Sequence, residues 1–265
     1  MDAKELLSAG RLSDALDELN REVKADPVDI RRRTTLFELL CFAGDYTRAE
    51  RQLDIIAQQD ANVDIGAQIY RNALNAERLR SRLRSDGLQP SFILDPPPFA
   101  ALHLEAFNRL REGRAGEARA LLERAADTED AVGGEVNGEP FAEISDGDAL
   151  LSPFIELIIQ DRYVWLPFVQ VKRLTVAAPK KLRDLIWIPA ELESIDGPIG
   201  GAFIPVLYCG SSSHADEQVR LGRATDWKDA GAGLMRGFGQ RILFIDDNER
   251  SILQLGHVEV RSGEE

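Results

Sequence analysis

Residues 150–193, LLSPFIELIIQDRYVWLPFVQVKRLTVAAPKKLRDLIWIPAELE, set the character of the C-terminal half of this chain. Long apolar runs are interrupted by Trp165-Leu166-Pro167-Phe168 and by Trp187-Ile188-Pro189. An amphipathic helix would place apolar residues every three or four positions, and most of this stretch does not. Its start reads as a helix from Ser152-Pro153 through Ile159, since serine can cap and proline is tolerated in a first turn. Tyr163 to Phe168 and Val169 to Val176 read as strands or extended segments, Leu182 to Ile186 leads into Trp187, and Gly200 to Tyr208 is a further strand. Gln240 to Ile245 and Ile252 to Val260 then read as a closing hairpin, with Asp246-Asp247-Asn248-Glu249 as its turn. The three tryptophan blocks (Trp165, Trp187, Trp227) read as corners of a packed β unit, each indole N–H reaching a backbone acceptor.

Upstream, a repeat carries the argument. Gly10-Arg11-x-x-x-Ala15, Gly44-Asp45-Tyr46-x-x-Ala49 and Gly113-Arg114-x-x-x-Ala118 share one pattern. The first two glycines are 34 residues apart, the tetratricopeptide period, and the third lies 69 residues further on. A glycine in the left-handed region ends one helix, and a small alanine lets the next helix approach closely. Leu12, Ala15, Leu16 and Leu19 keep helical spacing, as do Leu36, Leu39, Leu40 and Ala43. Gln68 to Leu83 also reads as helix but lacks the glycine–alanine signature, and Leu94-Asp95-Pro96-Pro97-Pro98 must break a helix. The fold class is therefore α+β: a helical hairpin array of the tetratricopeptide type over 1–127, an acidic connector over 128–148, and a β-rich α+β unit over 149–265.

Composition excludes several function classes. The 265 residues carry a net charge of −13, with 19 basic against 24 acidic side chains in residues 1–130 and 13 against 21 in the rest. Such a chain, lacking a long basic stripe, is a poor partner for nucleic acid. Arg78, Arg80, Arg82 and Arg84 form the densest basic cluster and read as a solvated helix face. The apolar runs fall short of the roughly 18 residues that suggest a membrane span, and the acid-containing start MDAKELLSAGR does not resemble a secretory signal. Cys41 and Cys209 are too few for a disulfide framework. The expectation is a cytoplasmic protein without membrane or nucleic-acid partners.

Candidate chemical sites give weak signals. From Ala125 to Asp161 there are ten acids and no basic residue. Asp146, Asp148 and Glu143 could offer hard oxygen ligands, yet the calcium-loop spacing is missing. Phe141 and Ile144 could anchor part of this segment. Ser211, Ser212 or Ser213 with His214 and Asp216 are neighbours in a polar loop with no nucleophile elbow. His103, His214, His257 and the two cysteines lack metal-ligand spacing. Gly231, Gly233, Gly237 and Gly239 match neither a dinucleotide fingerprint nor a phosphate loop. The strand ILFIDD ends in a turn and opens no alternating α/β domain. No catalytic, cofactor or metal residue is therefore assigned, although an enzyme with Asp148, Glu156 and Asp226 between the two halves stands as the competing reading.

The block 150–193, together with Phe203 to Tyr208, Arg220 to Trp227 and Arg236 to Asp247, resembles the ImpE family, also called TagJ or SciE. The N-terminal features, from Leu6-Leu7-x-x-Gly10-Arg11-Leu12 through Pro27, Arg31 to Leu40, Cys41, Gly44 and Tyr70-Arg71, resemble it too. One departure is Ala76, where relatives often carry a cysteine before the glutamate matching Glu77. The resemblance implies a non-enzymatic accessory protein of bacterial type VI secretion. Its implied partners are the sheath small subunit and the ClpV-type AAA+ ATPase. A scaffold for another assembly differs from this only in its partners. Leu6, Leu7, Leu12 and Leu16 are the candidate ATPase-binding edge, because a leucine-spaced N-terminal helix can enter an apolar groove.

Overall fold

The three repeated glycines each close a helix in the computed structural model, which describes residues 1–59 and 64–261. Gly10, Gly44 and Gly113 have φ of 77°, 73° and 76°. The backbone after each helix repeats one pattern, with Arg11, Asp45 and Arg114 donating to the carbonyls of Leu6, Leu40 and Arg109. These turns build the hairpins α1 (Ala3–Ser8) with α2 (Leu12–Ala25), α3 (Ile30–Phe42) with α4 (Tyr46–Gln59), and α6 (Pro98–Arg111) with α7 (Ala115–Ala126). Ala15, Ala49 and Ala118, the small partners of the glycines, are fully buried. The segment without the signature is a single long helix, α5 (Asp64–Asp86). The proline run after it is extended, and α6 begins at Pro98, where a missing N–H costs nothing.

The rest of the chain is antiparallel β structure. Strands β1 (Gly134–Val136), β2 (Glu139–Phe141), β4 (Phe154–Ile159), β5 (Arg162–Pro167), β6 (Val171–Val176), β7 (Trp187–Ser194), β8 (Gly197–Pro205) and β13 (His257–Val260) form one sheet in the order β2-β1-β13-β6-β7-β8-β4-β5. A three-stranded sheet, β12-β11-β3, uses Asn248–Ser251, Ile242–Ile245 and Ile144–Asp146. A hairpin pairs β9 (Thr225–Asp229) with β10 (Met235–Gly239), preceded by the short α8 (Glu217–Arg220). The acid-rich segment thus carries β1 to β3, with Phe141 and Ile144 buried as anchors.

Two readings of the sequence are corrected. Phe154–Ile159 is strand, not helix, and pairs with β5 in a register that sets Glu156 opposite Trp165. A continuous apolar run of this length fits a buried helix or a strand covered on both faces. Here both faces are covered. Phe154, Ile158, Tyr163 and Trp165 turn to the helices, whereas Ile155, Leu157, Val164 and Leu166 turn to a second core shared with the small sheet. The closing hairpin is shorter than the pattern suggested: β11 pairs with Asn248–Ser251, and β13 leaves to join β1 and β6.

Candidate functional site

Because β4 alternates, Glu156 must point where Phe154 and Ile158 point, toward the helices. There it meets α5, on which Glu77, Arg80 and Arg84 share one stripe through i, i+3 and i+7 spacing. Arg80 donates from Nε to Glu156 Oε1 at 2.9 Å and from Nη2 to Oε2 at 2.7 Å, a fork that matches a carboxylate. The Arg80 Nη2 group also reaches the Leu207 carbonyl at 2.9 Å. From the other side Arg241, fully enclosed, binds both Glu156 and Asp146. The Tyr163 hydroxyl donates to Glu156 and accepts from the Trp165 indole N–H at 2.5 Å. The Trp187 indole donates to Glu77 at 3.0 Å, so both indoles find side-chain acceptors instead of the expected backbone ones. Next to this network, Arg236 pairs with buried Asp148 at 2.7 Å.

The electrostatics follow from this geometry. Burial alone would raise the Glu156 carboxyl, but the guanidiniums of Arg80 and Arg241 override it and hold the group well below the usual carboxylate range. Among the described residues Asp146 pairs with Arg241 alone, and there burial wins, pushing its carboxyl up to about 6. The Arg80 position overturns the expectation of a solvated arginine face. Arg80 is buried and Arg84 half-buried, while Arg82 stays exposed on the far side of α5.

The three acids of the catalytic alternative each have another partner. Asp148 and Glu156 pair with arginines, and Asp226, on the β9–β10 hairpin, is 3.0 Å from His214. The His214 ring meets Asp226 and the Asp216 N–H instead of the serine hydroxyls: Ser211 Oγ donates to the Tyr208 carbonyl and Ser213 Oγ to the Gly210 carbonyl. Among the described residues, no group of three or more His, Cys, Asp or Glu side chains is arranged to hold a metal ion. Asp146 and Asp148 take guanidinium partners. Beside the network opens a cleft of about 640 Å³, lined by Cys41, Tyr46, Arg84, Cys209 and Ser212. Burial raises both thiols, which keeps them in the unreactive neutral form.

The leucine edge divides. Leu12 and Leu6 are core residues, 0% and 7% exposed, while Leu7 and Leu16 are half-buried. The chain itself covers this end of the array: Arg223 donates to the carbonyls of Leu7 and Ser8, and Ser13 bonds Glu217. A second surface, unmarked in the sequence, is a groove of about 740 Å³ between α3, α4, α5 and the loop before β7. Phe37, Ile56, Tyr70 and Phe203 line it, with Lys180 and Lys181 also on its wall. Ile69 on α5 lines it at 45% exposure, and nearby Ile65 is 80% exposed. These two isoleucines stay exposed on a helix whose Leu74 and Leu83 are buried. No helix among the described residues is long and apolar enough to cross a membrane.

The family described as ImpE protein matches the chain over residues 138–259. The type VI secretion system accessory component TagJ of Pseudomonas aeruginosa is 38% identical over 255 residues, which cover 96% of this chain and 89% of that protein. A crystal structure of a Vibrio parahaemolyticus protein matches with a TM-score of 0.90, covering 98% of this chain and 97% of that one at 24% identity. That likeness shows a shared fold, in which the helical and β parts occur together.

Proposed function

Because the chain belongs to the ImpE family, we propose that it is an accessory protein of a bacterial type VI secretion system that works by binding, not by catalysis. The observation that carries this reading is the identity to TagJ across nearly the whole of both chains. Two structural features agree with it. The buried acids between the helices and the sheets are held by arginines, which leaves them without a free carboxylate for acid–base work. The apolar groove beside Ile69 offers a surface of the kind that takes a partner helix or strand.

The partners we assign are the sheath small subunit and the ClpV-type ATPase, which the protein would bring together in the cytoplasm. The ATPase edge narrows to Leu7 and Leu16, the two leucines of the N-terminal hairpin that keep some exposed surface. The test is capture of the purified full chain by the sheath small subunit and by the ATPase N-terminal domain of the same organism. Saturable binding of either supports an adaptor. Capture by neither overturns it.

A further inference from the structure

A third hollow, of about 320 Å³, lies where the last turns of α5 and α6 meet the β9–β10 hairpin. Among the described residues its walls carry Arg84, Arg111, Lys228 and Arg236, together with Phe107, Phe238, Leu110 and Ala230, and no carboxylate. In a chain of net charge −13 this is a local reversal of sign. We propose that this hollow is a binding site for a small phosphate-type oxyanion.

The cations are held in place by their surroundings. Arg84 and Lys228 lie over the Phe238 ring at 5.8 and 4.8 Å, and Arg236 lies over Phe107 at 5.2 Å. Rings placed behind the cations fix their direction and add no negative charge to cancel them. Among the described residues only Arg236 has a close acid, Asp148 at 2.7 Å; Lys228 stands 4.0 Å from Asp226. No ion pair ties Arg84 or Arg111 to an acid among the described residues. Arg84 bonds the Cys209 carbonyl, and Arg111 bonds the Asn108 side chain at 3.2 Å. Burial and the nearby Arg236 both work against the Arg84 charge. The dipoles of the α5 and α6 C-termini favour a cation at each end but do not neutralise four. An oxyanion with several acceptor oxygens would satisfy the guanidinium forks and the ammonium together.

The site is independent of the partner reading, so its test uses the full chain alone. Inorganic pyrophosphate and inorganic phosphate are titrated calorimetrically at fixed ionic strength, with chloride as the reference anion. Saturable binding is expected, tighter for pyrophosphate and weakening as salt rises. Arg84→Gln should weaken it about tenfold or more, the scale of one hydrogen bond to a charged group. Lys228→Gln and Arg111→Gln, at exposed positions where folding is not at risk, should each weaken it measurably. No saturable binding, or binding unchanged in all three variants, would overturn the assignment. Tighter binding of an oligoglutamate peptide than of pyrophosphate would overturn it as well, pointing instead to a partner's carboxylates.

Discussion

Arg241→Met tests the buried ion network most directly. Arg241 is 0% exposed and reaches two acids from different elements, Asp146 at the end of β3 and Glu156 in β4. Methionine keeps much of the volume and removes the charge. Glu156 retains Arg80 at 2.7 Å and the Tyr163 hydroxyl. Asp146 keeps the Asp148 N–H at 2.8 Å and sits 3.0 Å from the Tyr208 hydroxyl, but loses the one cation paired with it among the described residues. Removing one partner of a buried pair costs about 3–5 kcal/mol, against a total stability of about 5–15 kcal/mol. In urea unfolding this is a fall in midpoint of about 1 M or more. Loss of the cation raises the Asp146 carboxyl further, so the variant keeps its proton to higher pH than the parent. The deficit should therefore be larger at pH 7.5 than at pH 5.5. Adding Asp146→Asn to Arg241→Met should return part of the loss at pH 7.5, since the uncompensated carboxylate is gone. A deficit below about 1 kcal/mol at pH 7.5, or a double variant no better than the single, would refute the pairing argument.

Asp146 itself gives a pH prediction of unusual sign. Its folded-state carboxyl is raised from 3.8 to about 6, so its contribution is fully present below 3.8 and is lost as pH rises through 6. Over that window the parent should lose about 3 kcal/mol relative to Asp146→Asn, as read from unfolding midpoints at several pH values. Leu12→Ala should cost about 2–5 kcal/mol by leaving a cavity at a fully buried site, whereas Leu7→Ala, at a half-buried one, should cost less than about 1 kcal/mol; equal thermal shifts would contradict the packing of the first hairpin. Gly239→Ala should cost at least about 2 kcal/mol, because φ is +89° and a Cβ would come within 2.0 Å of the Ala224 carbonyl oxygen. A midpoint within error of the parent would rule out that close approach.

The helical array was legible because its signal is local. A left-handed glycine followed five residues later by a buried alanine depends only on neighbouring turns. The β half was legible in composition and order but not in every element. Phe154-Ile155-Glu156-Leu157-Ile158 has no alternation to read, since helices cover one face and a second β layer the other. The ion network was hidden for a related reason. Arg80 looked like one of four alternating arginines, and only the position of Glu156, 76 residues away, turns it inward. Glu77, Arg80 and Arg84 on the same stripe as buried Ala73 and Ala76 were the available sign that this face is not solvated. The grooves are made by elements distant in sequence, and no local spacing encodes them.

The same network bears on how an adaptor of this kind could work. Phe154, Tyr163, Trp165 and Trp187 share one apolar cluster with Phe37, Leu74, Phe99 and Phe107, so the helices and the main sheet have a common core. Apolar burial alone is non-directional and would tolerate small sliding of one layer on the other. The fork from Arg80 to Glu156 and the Trp187 bond to Glu77 do not tolerate it, because any slip leaves a charge buried without its partner. The helical groove beside Ile69 and the N-terminal hairpin are thus held in a fixed relation to the sheets. Two partners bound at these places would meet at a set distance and angle, which a flexible tether between two independent domains would not provide.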